Sequence, residues 1–116
     1  MATQAIGLPY PVPLSSCFIN KGKGRTKSPR YRAYEEEAGK MLNAQGARPM
    51  KPPYHVTITL CAPDKRKRDA DNLFKCLFDT LVKNGIIEDD NNQCIHSGSW
   101  AWTEEGEPCT VHITSI

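Results

Sequence analysis

The sequence has no apolar run approaching the ~20 residues that cross a bilayer, so no helical membrane span is expected. It has no positively charged leader followed by an apolar stretch, which points to the reducing cytoplasm as the default compartment. Its five cysteines (Cys17, Cys61, Cys76, Cys94 and Cys109) are an odd number without a close pair. That spacing suits neither a disulfide framework nor a zinc knuckle. Cys61 and Cys109 sit in strand-like alternation and read as small buried hydrophobes. Internal repeats and low-complexity tails are absent. One further absence is local: between Lys21 and Arg32 there is not a single acidic residue.

What is present is one domain's worth of chain. At 116 residues with 39% apolar content, residues 1–116 can bury a single modest core. The net charge of +2 is unremarkable, but its distribution is not. Ten of the fifteen Lys and Arg fall in two windows. The first holds Lys21, Lys23, Arg25, Lys27, Arg30 and Arg32; the second is the run Lys65-Arg66-Lys67-Arg68. Clustered cations are the footprint of a phosphate-binding surface, although a solvated loop has the same composition.

The periodicities outline an α+β chain. Ile6, Leu8 and Tyr10 alternate before prolines interrupt, giving a short first strand that ends near residue 9. Residues 20–27 read as a basic, glycine-containing loop. Ser28-Pro29 supplies an N-cap and a proline at the first helical position, and Tyr31, Tyr34, Ala38, Met41 and Leu42 carry a helix to about residue 44. Tyr54, Val56, Ile58 and Leu60 alternate with His55, Thr57, Thr59 and Cys61, the clearest strand in the chain. A second helix begins near Asp69 or Asp71, carries Leu73, Phe74, Leu77, Phe78, Leu81 and Val82, and stops at Asn84-Gly85. Trp100 and Trp102 mark a strand, Glu104–Glu107 a turn, and Cys109, Val111 and Ile113 a last strand. A two-layer sandwich, with both helices on one face of a mixed four-stranded sheet, is the simplest packing.

Asp69-Ala70-Asp71-Asn72, entered directly from four cations, is the stretch that carries chemistry. Capping of the second helix explains one of these aspartates but not both. Asp71, Lys75 and Asp79 are spaced i, i+4, which is either an exposed ion-pair ladder or a lysine set beside a metal. Hard carboxylate oxygens suit magnesium or manganese, and a third donor is available from Glu88-Asp89-Asp90, with Asp89 or Asp90 the obvious choice. A metal so held can neutralise phosphate oxygens and activate water for phosphodiester hydrolysis. His55 and His112 fall on polar strand faces and read as surface residues. The tryptophans suit stacking on unpaired bases, core packing or a subunit interface.

Arg66-Lys67-Arg68-Asp69-Ala70-Asp71-Asn72-Leu73-Phe74-Lys75, then Phe78-Asp79-Thr80-Leu81, then Gly85-Ile86-Ile87-Glu88-Asp89-Asp90, resembles the RusA family of Holliday junction resolvases. The resemblance is strong over residues 65–90 and looser over Ile6 to Pro11, Gly24-Arg25-Thr26 and the helix behind. After the first strand this chain reads Pro13-Leu14-Ser15-Ser16-Cys17, where the family carries an asparagine.

The resemblance implies a bacterial or phage-encoded homodimeric endonuclease, chromosomal or prophage-borne, that binds four-way DNA junctions and makes paired symmetric nicks with Mg2+, for which Mn2+ substitutes. By the same resemblance Asp69, Asp71 and Asp90 are the metal-binding catalytic carboxylates, Lys75 the essential lysine, and Asp89 a neighbour. Lys21, Lys23, Arg25 and Lys27, with Lys65, Arg66, Lys67 and Arg68, would hold the phosphate backbones. A branched-DNA-binding dimer with weak catalysis and a nuclease for other branched or flap DNA are the competing expectations.

Overall fold

The computed structural model describes residues 2–116. Four strands form one sheet in the order β1-β6-β4-β5. Strand β1 is Thr3–Leu8, β4 Tyr54–Cys61, β5 Ile95–Thr103 and β6 Cys109–Ser115. β6 pairs antiparallel with both β1 and β4, whereas β4 and β5 run parallel, so the sheet is mixed as expected. The helices are α1, Pro29–Ala44, and α2, Asp71–Lys83. The unit β4-α2-β5 is a crossover connection, and it leaves β4 lying between β5 and β6 although the last two are consecutive in the chain.

The alternation in β4 is realised literally. Tyr54, Val56, Ile58 and Leu60 are buried to within 3% exposure, and their neighbours are half-exposed. They meet Tyr31, Tyr34, Ala38 and Leu42 of α1 and Leu73, Cys76, Leu77 and Leu81 of α2 in one core on a single face of the sheet. Burial of each leucine contributes about 2 kcal/mol. The opposite face carries Thr57, Thr59, Thr110 and the exposed His112. Cys109 is fully buried as the periodicity predicts, while Cys61, at the end of β4, is half-exposed; all five thiols are free.

Both helix ends follow the sequence signals. Ser28 Oγ accepts from Tyr31 N at 3.1 Å, with Pro29 opening α1. At the end of α2, Gly85 takes φ 74°, Gly85 N donates to Val82 O and Ile86 N donates to Leu81 O. This is a Schellman closure, and it turns Ile86 and Ile87 into the core. The chain leaving α2 then enters Glu88-Asp89-Asp90, with the Glu88 amide meeting the Tyr54 hydroxyl at the start of β4.

Residues 20–27 differ from the loop expected. They belong to a hairpin of β2, Phe18–Lys21, and β3, Gly24–Lys27, with Gly22-Lys23 as a two-residue turn. Gly22, at φ 61°, fills the first turn position, where a left-handed conformation matches the twist of the ribbon. The hairpin is pinned at its root, where Phe18 meets Tyr31 edge-on at 5.8 Å and Lys27 pairs with Glu35 at 2.9 Å.

The outer edge of β1 is closed. Gly7 N donates to Gln45 Oε1 at 2.7 Å and Gln45 Nε2 donates to Gly7 O at 2.8 Å, as a neighbouring strand would. Farther along, the Gln4 side chain reaches out from β1, donating to Arg48 O and accepting from Arg48 N, and so holds that segment beside the strand.

Candidate metal and nucleic-acid site

The chain leaves β4 at Cys61 and turns through Asp64, whose carboxylate collects the basic run that follows. It accepts from Arg66 N at 2.8 Å, and it pairs with Arg68 at 2.8 Å and Arg66 at 3.1 Å. The Arg68 and Arg66 side chains, helped by the Arg66 amide, hold the Asp64 carboxyl far below the usual carboxylate range. Arg68 also lies over the Tyr10 ring, 5.8 Å from its centroid. So the run of four divides. Arg66 and Arg68 fold back to shape the turn, whereas Lys65 and Lys67 are exposed and enter no ion pair among the described residues.

Helix α2 starts without either aspartate acting as its cap. The N-cap position is Ala70, and no side chain accepts a hydrogen bond there. Leu73 N bonds to Ala70 O instead. Asp69 and Asp71 are exposed, and among the described residues neither carboxylate takes part in a hydrogen bond or ion pair. Asp71 still profits from the positive end of the helix dipole. A side-chain capping role is therefore filled by neither residue, and the helix dipole accounts for Asp71 alone. Asp69 also borders a cleft of about 350 Å³ shared with Lys67, Arg68, Asn72 and Pro13, where cations and carboxylate meet.

One turn along α2, Lys75 Nζ lies 3.1 Å from Asp79 Oδ1. The Asp79 hydrogen bond and charge raise the lysine pKa above its ordinary value, and Asp90 and Asp89 add to the shift. The acidic turn therefore lies within electrostatic reach of the lysine. Its two aspartates are not equivalent. Asp89 accepts from Asp90 N at 2.8 Å and from Asn91 Nδ2 at 3.1 Å, and these bonds hold its pKa below the ordinary value. Asp90 is half-buried, and its carboxylate enters no such bond among the described residues. Asp89 braces the turn, with the Asp90 side chain close beside it.

Tyr54 is a positioning residue that its place in an apolar alternation conceals. Its ring is fully buried, while its hydroxyl donates to Met50 O at 2.6 Å and accepts from Glu88 N at 3.2 Å, anchoring the acidic turn to the start of β4. A buried tyrosine hydroxyl needs a partner, and that requirement is the signal by which the sequence could reveal it.

The two free carboxylates at the head of α2, Asp69 and Asp71, offer oxygen donors, the chemistry a hard divalent cation prefers. No group of three or more His, Cys, Asp or Glu among the described residues is drawn together closely enough to hold an ion. Asp69 and Asp71 stand unengaged at the head of α2, whereas Asp90 lies beyond the other end of the helix, in the turn that Tyr54 anchors to the start of β4.

The hairpin presents Lys21 and Lys23 at its tip, both exposed. Arg25 is exposed and stacks over Phe18 at 5.0 Å. Lys27, expected with them, is drawn into its pair with Glu35, which also takes Lys83 at 3.0 Å. Trp100 and Trp102 are not core residues: they are 54% and 41% exposed on β5, with Phe74 against Trp100 at 5.5 Å.

Comparison with known proteins covers nearly all of this architecture. The family model described as endodeoxyribonuclease RusA matches residues 11–114. The crossover junction endodeoxyribonuclease RusA of Escherichia coli K12 is 36% identical over 92 residues, 78% of this chain and 76% of the relative. The protein of that name from Enterobacteria phage 82 is 38% identical over 96 residues, with the same coverage of each chain. Its namesake from Aquifex aeolicus is 39% identical over 83 residues, 70% of this chain and 66% of the relative.

Proposed function

The chain belongs to the RusA family of endodeoxyribonucleases, and from that membership we propose that it is a crossover junction nuclease that resolves four-way DNA junctions by paired symmetric nicks, acting as a homodimer with Mg2+. The observation that supports this reading best is the pair Asp69 and Asp71, two carboxylates at the head of α2 that the fold uses neither as caps nor as ion-pair partners. Two exposed carboxylates two residues apart repel each other weakly, and a divalent cation between them, with a polyanion over the neighbouring cations, would turn that repulsion into binding.

In this reading Asp69, Asp71 and Asp90 hold the divalent ion, and Mn2+ substitutes for Mg2+. Bound there, the ion would supply charge neutralisation at the scissile phosphate and a water of lowered pKa. Lys75, oriented by its pair with Asp79, faces a phosphate oxygen. Asp89 stabilises the turn that presents Asp90. Lys65 and Lys67, with Lys21, Lys23 and Arg25 on the hairpin, hold the phosphate backbones. Arg66 and Arg68 keep the run in shape through Asp64 and offer their remaining N–H donors, and Lys27 fixes the hairpin root. Two subunits related by a two-fold axis match a junction, which offers two equivalent strands to two equivalent sites.

The test is cleavage of a synthetic four-way junction, a flap substrate and matched linear duplex, with and without Mg2+. Symmetric nicking of the junction alone, dependent on metal, is expected. Binding without cutting would leave a branched-DNA-binding dimer, and equal cutting of flap or linear DNA would leave a broader nuclease.

A further inference from the structure

The two edges of the sheet are treated differently. β1 is blocked at Gly7, whose backbone N–H and C=O are both taken by the Gln45 side-chain amide, and its Gln4 side chain holds the Arg48 backbone alongside. β5 pairs with β4 alone, and along its nine residues every position between Ile95 and Thr103 is exposed. Its outer row of backbone N–H and C=O groups has no strand beside it. Edge strands of monomers are normally blunted by Lys, Pro, inward charges or shortness. The stretch Ile95-His96-Ser97-Gly98-Ser99-Trp100-Ala101-Trp102-Thr103 contains no Lys, Arg, Asp, Glu or Pro.

The helix-facing side of this strand is unfinished as well. Gly98, Trp100 and Trp102 stand beside Val56, Ile58 and Leu60 in register, so all three share the core side of the sheet. A side chain at Gly98 is excluded, because a Cβ there would lie 2.6 Å from the Val56 carbonyl oxygen. The result is an apolar cleft of about 190 Å³ between α2 and β5, bounded by Ile58, Phe74, Phe78, Gly98 and Trp100.

We propose that β5 is the subunit seam: it pairs antiparallel with β5 of a second copy across a two-fold axis at Ser99, joining the two sheets into one. This rests on the two-subunit reading above. Register follows from the axis. Trp100 comes opposite Gly98 of the partner subunit, a large side chain over the one position that cannot carry its own, and fills the cleft beside Phe74. Charge complementarity under a two-fold reduces to one demand, that the strand has no charge to set against itself, and β5 meets it. The area is also of the right order. The exposed parts of the two tryptophans supply roughly a quarter of the about 800 Å² each partner buries in a standard interface, and a nine-residue strand pairing of about 30 Å, with its other exposed side chains, adds to it.

Ser99 gives a sharp test, because each variant meets its own copy. The wild-type chain is expected to sediment as a dimer of the 13.0 kDa protomer. Ser99→Lys and Ser99→Glu, each checked for native circular dichroism, are expected to sediment as monomers, and an equimolar mixture of the two to regain the dimer. Ser99→Cys is expected to give a covalent dimer on mild oxidation while the wild type does not, since directly opposed Cα atoms in such a pair lie ~4.5–5.5 Å apart, within disulfide span. A wild-type dimer that survives both charged substitutions and gives no Ser99→Cys cross-link would overturn the seam and leave the two-subunit reading intact. A wild-type monomer, alone and on a four-way junction, would overturn both. Junction cleavage by the wild type is read separately and reports on the nuclease assignment alone.

Discussion

Lys75 is held 3.1 Å from Asp79, one turn toward the C-terminus of α2, and leaves Asp71, one turn the other way, unpaired. The three residues share a helical face, yet the ladder their spacing allows is only half built. An exposed pair of this kind contributes a few tenths of a kcal/mol, so its removal tests orientation rather than stability. Asp79→Asn is expected to lower junction cleavage about 3- to 10-fold with junction affinity and melting temperature unchanged, and Lys75→Ala to lower it further. Equal cleavage by Asp79→Asn and wild type would remove Asp79 from any positioning role.

Asp71→Asn removes a proposed ligand and one negative charge that faces the phosphate. Cleavage is expected to fall by at least about 100-fold while junction binding in a gel shift is retained or tightened. Normal cutting by this variant would show that the metal site is elsewhere.

The hairpin tip is expected to touch DNA through Lys21 and Lys23, with Arg25 beside them. Neutralising all three should weaken junction binding and flatten the dependence of log K on log salt by about 0.9 for each phosphate no longer neutralised. Lys27→Gln is a contrasting control: as its ammonium is engaged by Glu35, it is expected to loosen the hairpin root and leave the salt slope as it is. An unchanged salt slope in the triple variant would detach the hairpin from the DNA.

Glu35 predicts a pH effect. Burial pushes its pKa up, but hydrogen bonds from Lys27 and Lys83 outweigh this and leave it below the ordinary 4.5. A lowered carboxylate pKa stabilises the folded state above the unfolded value, and the contribution is lost as pH falls through the folded value. Glu35→Gln is therefore expected to cost about 1 kcal/mol near neutrality. In thermal melts its stability should also decline less steeply than the wild type's below about pH 4.5. Parallel declines would show that the pair contributes nothing.

Much of the fold can be read directly because its signals are local. Ser28-Pro29 and Asn84-Gly85 punctuate the helices, and β4 alternates without a break. The hairpin escapes such a reading because Phe18 and Ile19 are too short an apolar run to mark a strand, and Gly22 and Gly24 suggest an open loop. At the site, the carboxylates and Lys75 are legible as residue types, but their engagement is not. Spacing alone does not reveal that Ala70 takes the cap position, that Asp64 draws in Arg66 and Arg68, or that Asp89 rather than Asp90 is used by its own turn. Those outcomes depend on backbone directions that only the assembled loop defines.

The amide bracket of Gln45 on Gly7 bears on how large an assembly the chain can build. A sheet with two sticky edges can add copies without end and grow into a fibre. With β1 stoppered from within the same chain, pairing at β5 uses up the capacity of the sheet in a single event. If β5 is the seam, finite size follows from one glutamine side chain far from the carboxylates: by blocking the other edge it would end growth at two copies, the number the proposed substrate and its paired nicks would call for.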